Sequence, residues 1–210
     1  MFLSQPIDLS AYEDLSTLSA NFNLKTPNAQ PFKNSGFAIS SLVSTMQVVP
    51  LPQENHTVLG DILIEEAPDE YYVLDFELEK WQYLKGAKAE KRVTSEGFEY
   101  DYTEGGMVFP DALDNASRTI ITGEGGRTAS RFKHVVECKS GRGLRRLTPI
   151  ELERLNMFPD NHTRLGINGE LSDTKRAFFM GNALVVGVVD KIARELWKYH
   201  IGAERTYSSK

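Results

Sequence analysis

Residues 145–160 read Arg145-Arg146-Leu147-Thr148-Pro149-Ile150-Glu151-Leu152-Glu153-Arg154-Leu155-Asn156-Met157-Phe158-Pro159-Asp160, and this stretch decides the fold of the last third of the chain. Thr148 and Glu151 have the spacing of a capping box, in which each residue satisfies an amide of the other. Pro149 stands at the first helical position, where a missing amide hydrogen does no harm. The pattern predicts a helix that begins at Pro149 and ends before Phe158.

Two further helices are predicted after this one. Ser172 and Asp173 cap a helix that continues through Met180. The last helix has an apolar stripe along one face, and such a stripe must be buried against another surface. The residues of this stripe are Leu184, Val185, Val188, Val189, Ile192, Ala193, Leu196 and Trp197.

Residues 36–144 favour short strands and turns rather than one regular pattern. Two strands are predicted around Ser40-Ser41, and a helix over 69–85 is predicted to stop at Gly86. The remaining predicted elements are a basic, turn-rich connection over 85–92, a strand pair over 98–109 bent at Gly105-Gly106, and short strands over 118–122 and 132–136.

Composition excludes several classes of protein. The chain has 210 residues and one cysteine, Cys138, which excludes a disulfide framework and indicates a reducing, cytoplasmic compartment. Its four histidines share no metal-ligand spacing, so no metal site is predicted. The N-terminus has no signal-peptide pattern, and no apolar run approaches the roughly 20 residues that span a bilayer. We therefore expect no membrane partner.

The net charge of -5 hides an asymmetry along the chain. Residues 1–80 contain 12 acids and 3 bases, whereas residues 81–210 contain 17 acids and 21 bases. Residues 127–146 alone carry seven bases and one acid. A charge run of this kind is more often a solvated face, yet a local basic segment can bind phosphate whatever the overall charge.

Two motifs carry a resemblance to a known family. The first is residues 145–160, and the second, about 20 residues later, reads Phe178-Phe179-Met180-Gly181-Asn182-Ala183-Leu184. Together they resemble the last two motifs of the cytosine-C5 DNA methyltransferases. The resemblance implies an α/β fold in which a small, irregular, strand-rich recognition domain precedes C-terminal helices that complete a Rossmann-like domain. It divides the chain into a polar leader (1–35), a target-recognition region (36–144), methyltransferase helices (145–200) and a tail (201–210).

A third block, residues 117–126, resembles the strand and glycine loop of the family's recognition region. The resemblance implies contact with double-stranded DNA, since glycines let the backbone approach a duplex and threonine hydroxyls can bond phosphate. A Gly-Gly loop by itself is more often an ordinary turn. The DNA-binding residues implied by the resemblance are Thr119, Thr122, Gly125, Gly126, Arg127, Ser130, Arg131 and Lys133.

The two C-terminal motifs imply different roles. In the family, the second motif helps to line the pocket for S-adenosylmethionine, which assigns Gly181, Asn182 and Ala183 to cofactor binding. The first motif braces the recognition region against the catalytic domain. Its implied structural residues are Arg145, Thr148, Glu151 and Arg154.

The family's catalytic motifs are absent from this sequence. The family nucleophile lies in a Pro-Cys motif, but the only cysteine, Cys138, follows Glu137. No Phe-x-Gly-x-Gly loop exists, and no arginine occurs before Arg92 to supply a Gln-x-Arg-x-Arg segment. We therefore assign no catalytic residue and expect the chain to be inactive alone, with a catalytic chain that carries the upstream motifs as its partner.

Several interpretations remain open at this stage. The polar leader after Met1 suits the second subunit of a split enzyme in a restriction-modification system. The chain is alternatively a truncated form or fragment of a longer enzyme, a non-catalytic DNA-binding remnant of a methyltransferase, or a protein-interaction chain whose basic segment is only solvated surface. The expected exposure of the last helix predicts poor solubility alone.

Overall fold

The computed structural model describes residues 6–16, 18, 32–50 and 56–201, with only the backbone described for residues 200 and 201. The predicted tail after Ile201 therefore lies outside the described residues, as does most of the predicted leader. The chain forms two compact units, Met1–Asn55 and His56–Lys210. The predicted domain boundaries remain predictions, since no observation tests them.

The first unit contains a three-stranded antiparallel sheet in the order β1-β3-β2. Its strands are β1 (Ile7–Asp8), β2 (Ser35–Ile39) and β3 (Leu42–Met46), and a short 3-10 helix, Leu9–Ala11, follows β1. Ser40 takes a left-handed backbone conformation at the tight turn, with φ of 54°. The predicted strand pair around Ser40-Ser41 is therefore confirmed.

The helices of the second unit agree well with the sequence in its last third. They are α1 (Leu59–Ile62), α2 (Asp75–Lys85), α3 (Pro149–Leu155), α4 (Asp173–Asn182) and α5 (Val186–Leu196), with a π-helical turn at Trp197–Ile201. The α3 helix begins at Pro149 with the predicted capping box, and Ser172 caps α4. Gly86 ends α2, as predicted. The helix predicted over 69–85 is divided, because a 3-10 turn, Asp69–Tyr71, precedes α2.

The strands of the second unit form three small antiparallel pairs. They are β4 (Lys88–Val93) with β5 (Glu99–Glu104), β6 (Val136–Glu137) with β7 (Leu144–Arg145), and β8 (Leu165–Gly166) with β9 (Gly169–Glu170). Together with the helices, these small sheets confirm a mixed α/β class.

Three sequence predictions in this unit were wrong. Residues 85–92 are not a turn-rich connection, because Lys88–Val93 pairs along its whole length with Glu99–Glu104. The chain reverses at residues 94–98, where Gly97 has φ of 85°, and not at Gly105-Gly106. Residues 118–121 form no strand, and only Val136–Glu137 is a strand near the end of 132–136.

The core of the second unit joins α1, β6, α3 and α4. Its buried residues are Leu59, Ile62, Leu63, Val136, Leu147, Leu152, Ala177 and Met180. Residues from both sides of the predicted 144/145 boundary therefore share one core. Among the described residues, no helix is long and apolar enough to cross a membrane.

Candidate functional site

The 145–160 motif forms a buried ion pair. Arg145 and Glu151 are both fully buried, and the guanidinium binds the carboxylate through two hydrogen bonds, Nη1 to Oε2 at 2.9 Å and Nη2 to Oε1 at 2.7 Å. The Thr148 amide and hydroxyl both donate to Oε2, at 2.7 and 2.9 Å. The Ile64 amide donates to Oε1 at 3.0 Å. Every oxygen of this buried carboxylate is thus paired, which is the condition for burying a charge.

The same motif ties α3 to the chain that follows α1. Arg145 Nη2 donates to the Ile64 carbonyl at 3.2 Å, and Arg154 Nη1 donates to the Ile62 carbonyl at 2.9 Å. Arg154 also forms two hydrogen bonds with Asp160, at 2.8 and 2.7 Å. The four predicted structural residues therefore come together in one bracing network.

A second buried carboxylate, Glu153, lies on the same helix. It accepts hydrogen bonds from the amides of Asn161 and Thr163, at 2.6 and 2.9 Å, and from the Thr163 hydroxyl. Arg176 of α4 completes the group with an Nη2–Oε1 distance of 3.0 Å. Burial alone would raise the pKa of Glu153, but the hydrogen bonds from Thr163 and Arg176 outweigh it and hold the pKa below its ordinary value.

One partly buried and one fully buried polar pair hold residues 117–134, called here the recognition segment. Arg118 binds Asp111 through two hydrogen bonds, at 2.6 and 3.0 Å. Glu124 accepts from both the amide and Nδ1 of His134, and Ser117 Oγ lies 3.0 Å from His134 Nε2. The short strand predicted over 118–122 is thus replaced by side-chain anchoring of an irregular backbone. The Glu124–His134 pair was not predicted, since nothing in the spacing of these residues marks it.

Two of the predicted DNA-binding cations bind groups of the protein itself. Lys133 is buried and donates to the carbonyls of Gly126 and Thr128, at 2.8 and 2.6 Å. Burial and the nearby Arg146 lower the pKa of Lys133. Arg131 donates to the carbonyls of Leu84, Gly86 and Gly105, and its Nε lies 2.9 Å from Glu104.

Lys85, a further buried cation that sequence analysis overlooked, donates to the Lys133 carbonyl. Burial lowers the pKa of Lys85 to about 8. Part of the basic run 127–146 therefore donates hydrogen bonds to backbone carbonyls of the recognition segment. This segment has few backbone–backbone hydrogen bonds of its own.

The two loop glycines lie against protein. A Cβ at Gly125 would come within 2.7 Å of the Ala177 Cβ and 2.9 Å of the Thr174 Cα, so only glycine lets this loop pack on α4. A Cβ at Gly126 would lie 3.1 Å from Lys133 Nζ. Ser130 is half-buried, and its hydroxyl accepts from the Phe132 amide at 3.4 Å. These residues shape the loop from within.

Three of the predicted DNA-binding residues face solvent: Thr119, Thr122 and Arg127. Arg127 forms no hydrogen bond or ion pair with any described residue, in contrast to Arg131 and Lys133. It lines a small pocket of about 160 Å³ together with Arg146 and Trp81. The outward-facing part of the recognition segment is thus smaller than the sequence suggested.

A cleft of about 290 Å³ lies between the recognition segment, the end of α3, and α4 with the residues that follow it. Thr119 lies on one wall, and Gly181 and Ala183 of the predicted cofactor motif lie on the other. The remaining lining residues are Ser117, Arg118, Ile120, Leu155, Asn156, Met180 and Val185. The structure therefore brings predicted DNA-binding and cofactor-binding residues to one place.

The predicted cofactor motif, Gly181–Ala183, packs the end of α4 against the recognition segment. A Cβ at Gly181 would lie 2.5 Å from both Cα and N of Thr122, so the two backbones touch at this point. Asn182 is exposed, and its side-chain amide donates to the Phe178 carbonyl at 2.9 Å. Ala183 is half-buried and packs on the core. Close packing explains the glycine, whereas the exposed Asn182 has no such structural requirement.

The apolar stripe of the last helix is exposed. Val188, Val189, Ile192 and Leu196 of α5 expose between 44% and 55% of their surface, and α5 has no buried residue. Polar residues cover the other face, including the Asp190–Arg194 ion pair at 2.7 Å. A helix with this pattern normally buries its stripe.

Cys138 is buried at the end of β6. Its Sγ lies 3.3 Å from the Glu65 carbonyl, 3.2 Å from the Tyr72 hydroxyl and 3.3 Å from the Ser140 hydroxyl. Burial would raise its pKa, but the hydrogen bonds from Ser140 and Tyr72 lower it to about 7. Within the described ranges, no group of His, Cys, Asp and Glu side chains has the arrangement of a metal site.

The two C-terminal motifs resemble those of the cytosine-C5 DNA methyltransferases, and comparison with known sequences agrees with this resemblance. The family model for C-5 cytosine-specific DNA methylases matches residues 17–198, and the chain belongs to this family. One relative is the Type II methyltransferase M.Sau3AI of Staphylococcus aureus, which is 35% identical over 185 residues. Another is the Type II methyltransferase M.NlaX of Neisseria lactamica, which is 30% identical over 147 residues.

The matches cover most of this chain but only part of each relative. The alignment with M.Sau3AI includes 88% of this chain and 41% of the relative. The alignment with M.NlaX includes 70% of this chain and again 41% of the relative. The chain thus spans less than half the length of the curated relatives it matches.

Proposed function

We propose that this chain is the DNA-recognition and C-terminal portion of a DNA (cytosine-5-)-methyltransferase. Together with a catalytic chain, it transfers a methyl group from S-adenosylmethionine to C5 of cytosine at a specific duplex site. The observation that carries the proposal is the exposed apolar face of α5, which follows directly after the Gly181–Ala183 motif. A catalytic portion that covers this face would complete both the core and the cofactor pocket.

The proposed share of this chain in the cofactor pocket is one wall. S-adenosylmethionine is the methyl donor of the family and supplies the transferred group when bound. Asn182 is exposed and Ala183 lines the cleft, so these two residues are the ones we assign to the donor. Gly181 lines the same cleft, and its missing side chain lets the Thr122 backbone pack against it.

The proposed DNA surface consists of Thr119, Thr122 and Arg127. These residues face solvent, whereas Gly125, Gly126, Ser130, Arg131 and Lys133 support the loop from within. Arg127→Ala should weaken binding to all duplexes similarly and reduce the slope of log affinity against log salt by about 1. Arg164→Ala is the matched control, since Arg164 is an exposed cation paired with Glu170 on the β8–β9 hairpin.

The biological setting we propose is restriction-modification, because both relatives are named Type II methyltransferases. We place the enzyme in the cytoplasm, where it meets the cell's DNA. No catalytic residue is assigned to this chain, since the single cysteine is the buried Cys138, which follows Glu137.

The test is transfer of labelled methyl from S-adenosylmethionine to mixed-sequence DNA. The chain is assayed alone and co-expressed with a catalytic chain that carries the Pro-Cys motif, encoded directly upstream. Activity only in the pair supports the proposal. An inactive pair favours a non-catalytic DNA-binding remnant, and activity of this chain alone refutes the assignment of the nucleophile to a partner.

A further inference from the structure

We propose that the β4–β5 hairpin enters the DNA major groove and that its outer face reads base edges at the target site. The outer face is defined as Ala89, Lys91, Val93, Glu99, Asp101 and Thr103. The inference rests on the proposed function and adds to it the element that selects the sequence. The proposed reader lies outside the 117–133 segment to which the sequence assigned DNA contact.

The hairpin has the form of a two-stranded ribbon. Lys88–Val93 and Glu99–Glu104 pair in continuous antiparallel register, and neither strand pairs with a third among the described strands. A two-stranded β-ribbon fits the major groove, which is about 12 Å wide. An isolated hairpin is marginally stable in water, so a ribbon used for recognition needs support from the rest of the protein.

That support is present on the opposite face, called here the locked face, which consists of Lys88, Glu90, Arg92, Tyr100, Tyr102 and Glu104. Arg92 stacks on Tyr102 at 3.5 Å from the ring centroid and pairs with Glu90 at 3.2 Å. Glu90 in turn accepts a hydrogen bond from Tyr83 of α2 at 3.0 Å, and Lys88 lies over the Tyr83 ring. These contacts hold the ribbon against the end of α2.

Arg131 holds both strands at the base of the ribbon, the end opposite the turn over 94–98. Its guanidinium binds the carbonyls of Leu84 and Gly86 just before β4, and the carbonyl of Gly105 just after β5. Its Nε binds Glu104, the last residue of β5. Arg131 belongs to the recognition segment, so the ribbon is joined rigidly to the proposed DNA surface.

The outer face, by contrast, is exposed at every position. Strand alternation directs all six of its side chains away from the locked face. Lys91 stands directly opposite Asp101 in the register, and Ala89 opposite Thr103. No hydrogen bond or ion pair holds these four side chains within the described part of the chain.

The chemistry of this face suits base edges better than phosphates. Lysine donates to the acceptors of guanine, aspartate accepts from the cytosine amino group, and small apolar groups contact the thymine methyl. Two acids, Glu99 and Asp101, accompany one base, Lys91, so the face would gain little from tracking the backbone. Arg127 and the threonine hydroxyls of the recognition segment provide the phosphate contacts that position it.

The test uses the full chain and a pool of duplexes with a randomised core between constant arms. Bound duplexes are sequenced for the wild type and for Lys91→Ala/Asp101→Ala. Lys80→Ala is the matched control, since Lys80 is an exposed cation on α2 outside the ribbon. Circular dichroism checks that each variant is folded. We expect the wild type to enrich one sequence and the double variant to lose about tenfold of the preference at one or two positions.

Directed cleavage provides a second measurement that does not depend on loss of function. Cys138 is 3% exposed and is the only cysteine, so Thr103→Cys creates a single accessible thiol for a DNA-cleaving reagent. On the selected duplex, cuts are expected inside the enriched site. Glu195→Cys on the exposed surface of α5 is the control and should give none there.

The outcomes separate this inference from the proposed function. A double variant that selects the same sequence with the same preference would overturn the ribbon as the reader and leave the proposed function standing. Binding of the wild type without any selection, or cuts absent from the selected site, would also overturn it. A wild-type chain that binds no duplex would overturn the ribbon as the reader, and methyl transfer by the co-expressed pair would then decide the proposed function separately.

Discussion

Helices α3 and α5 are separated by only 30 residues, yet both depart from the usual rule that charged side chains are exposed and apolar side chains are buried. The α3 helix buries two carboxylates, Glu151 and Glu153, whereas α5 exposes a stripe of valine, isoleucine and leucine. The buried charges are tolerated because every carboxylate oxygen has a donor. The exposed stripe lacks its complement within the described residues. The contacts of α3 are therefore complete among the described residues, whereas the apolar face of α5 is left uncovered by them.

The largest expected effect comes from breaking the buried ion pair between Arg145 and Glu151 of α3. Glu151→Ala leaves the Arg145 guanidinium buried without a counter-charge, and we expect the free energy of unfolding to fall by about 3–5 kcal/mol. Urea denaturation measures it. Asp190→Ala removes an exposed ion pair on α5 and should cost less than about 1 kcal/mol. Equal losses in the two variants would show that the buried pair is not special.

Glu153→Gln tests the second buried carboxylate. Loss of the charged hydrogen bonds from Thr163 and Arg176 should cost about 2–3 kcal/mol at neutral pH.

The same variant tests the pH dependence of stability. Because the folded pKa of Glu153 is lowered, its contribution is complete above the unfolded pKa of about 4.3 and is lost as pH falls through the lower folded value. Thermal unfolding between roughly pH 5 and 3 should therefore show a steeper loss for the wild type than for the variant. Parallel curves would contradict the assigned pKa shift.

Gly181→Ala probes the contact between α4 and the recognition segment. The added Cβ meets the Thr122 backbone at 2.5 Å, so overpacking should lower stability by about 1–2 kcal/mol. Gly123→Ala is the control, because its Cβ would meet only the Ile121 Cδ1 at 3.8 Å. Thermal unfolding of both variants measures the difference, and a neutral Gly181→Ala would mean that the two backbones separate easily.

The smallest expected effect on stability comes from changing the exposed apolar stripe of α5. Ile192→Gln/Leu196→Gln changes the exposed stripe and should alter the unfolding free energy of this chain by less than about 0.5 kcal/mol. Solubility should rise, because the exposed apolar patch is reduced. Methyl transfer by the co-expressed pair should be lost. A pair that remains fully active would show that this stripe is not the surface for the catalytic portion.

Prediction from sequence succeeded where local signals decide the structure. The capping box at Thr148 and Glu151 and the cap at Ser172 fixed the starts of α3 and α4, because these signals act within one turn. Strand predictions over 85–136 failed more often. There the backbone is held by side chains such as Arg131 and Lys133, whose partners lie up to 47 residues away in the sequence.

The candidate site shows the same division. The recognition segment and the Gly181–Ala183 motif were found by resemblance, and the structure brings residues 117–120 of the segment to one cleft with Gly181 and Ala183. The sequence assigned Arg127, Arg131 and Lys133 to one role, since it shows only their charge. Their burial and hydrogen bonds separate an outward-facing cation from two internal ones.

The sequence by itself determined the family, the three C-terminal helices and the apolar stripe of the last helix. These depend on motif order and on the 3.6-residue period, which are local properties. Only the tertiary structure decided which charges are buried, which cations remain free, and that β4 and β5 form a ribbon clamped by Arg131. Burial and long-range pairing depend on where distant segments meet, and no local pattern encodes that.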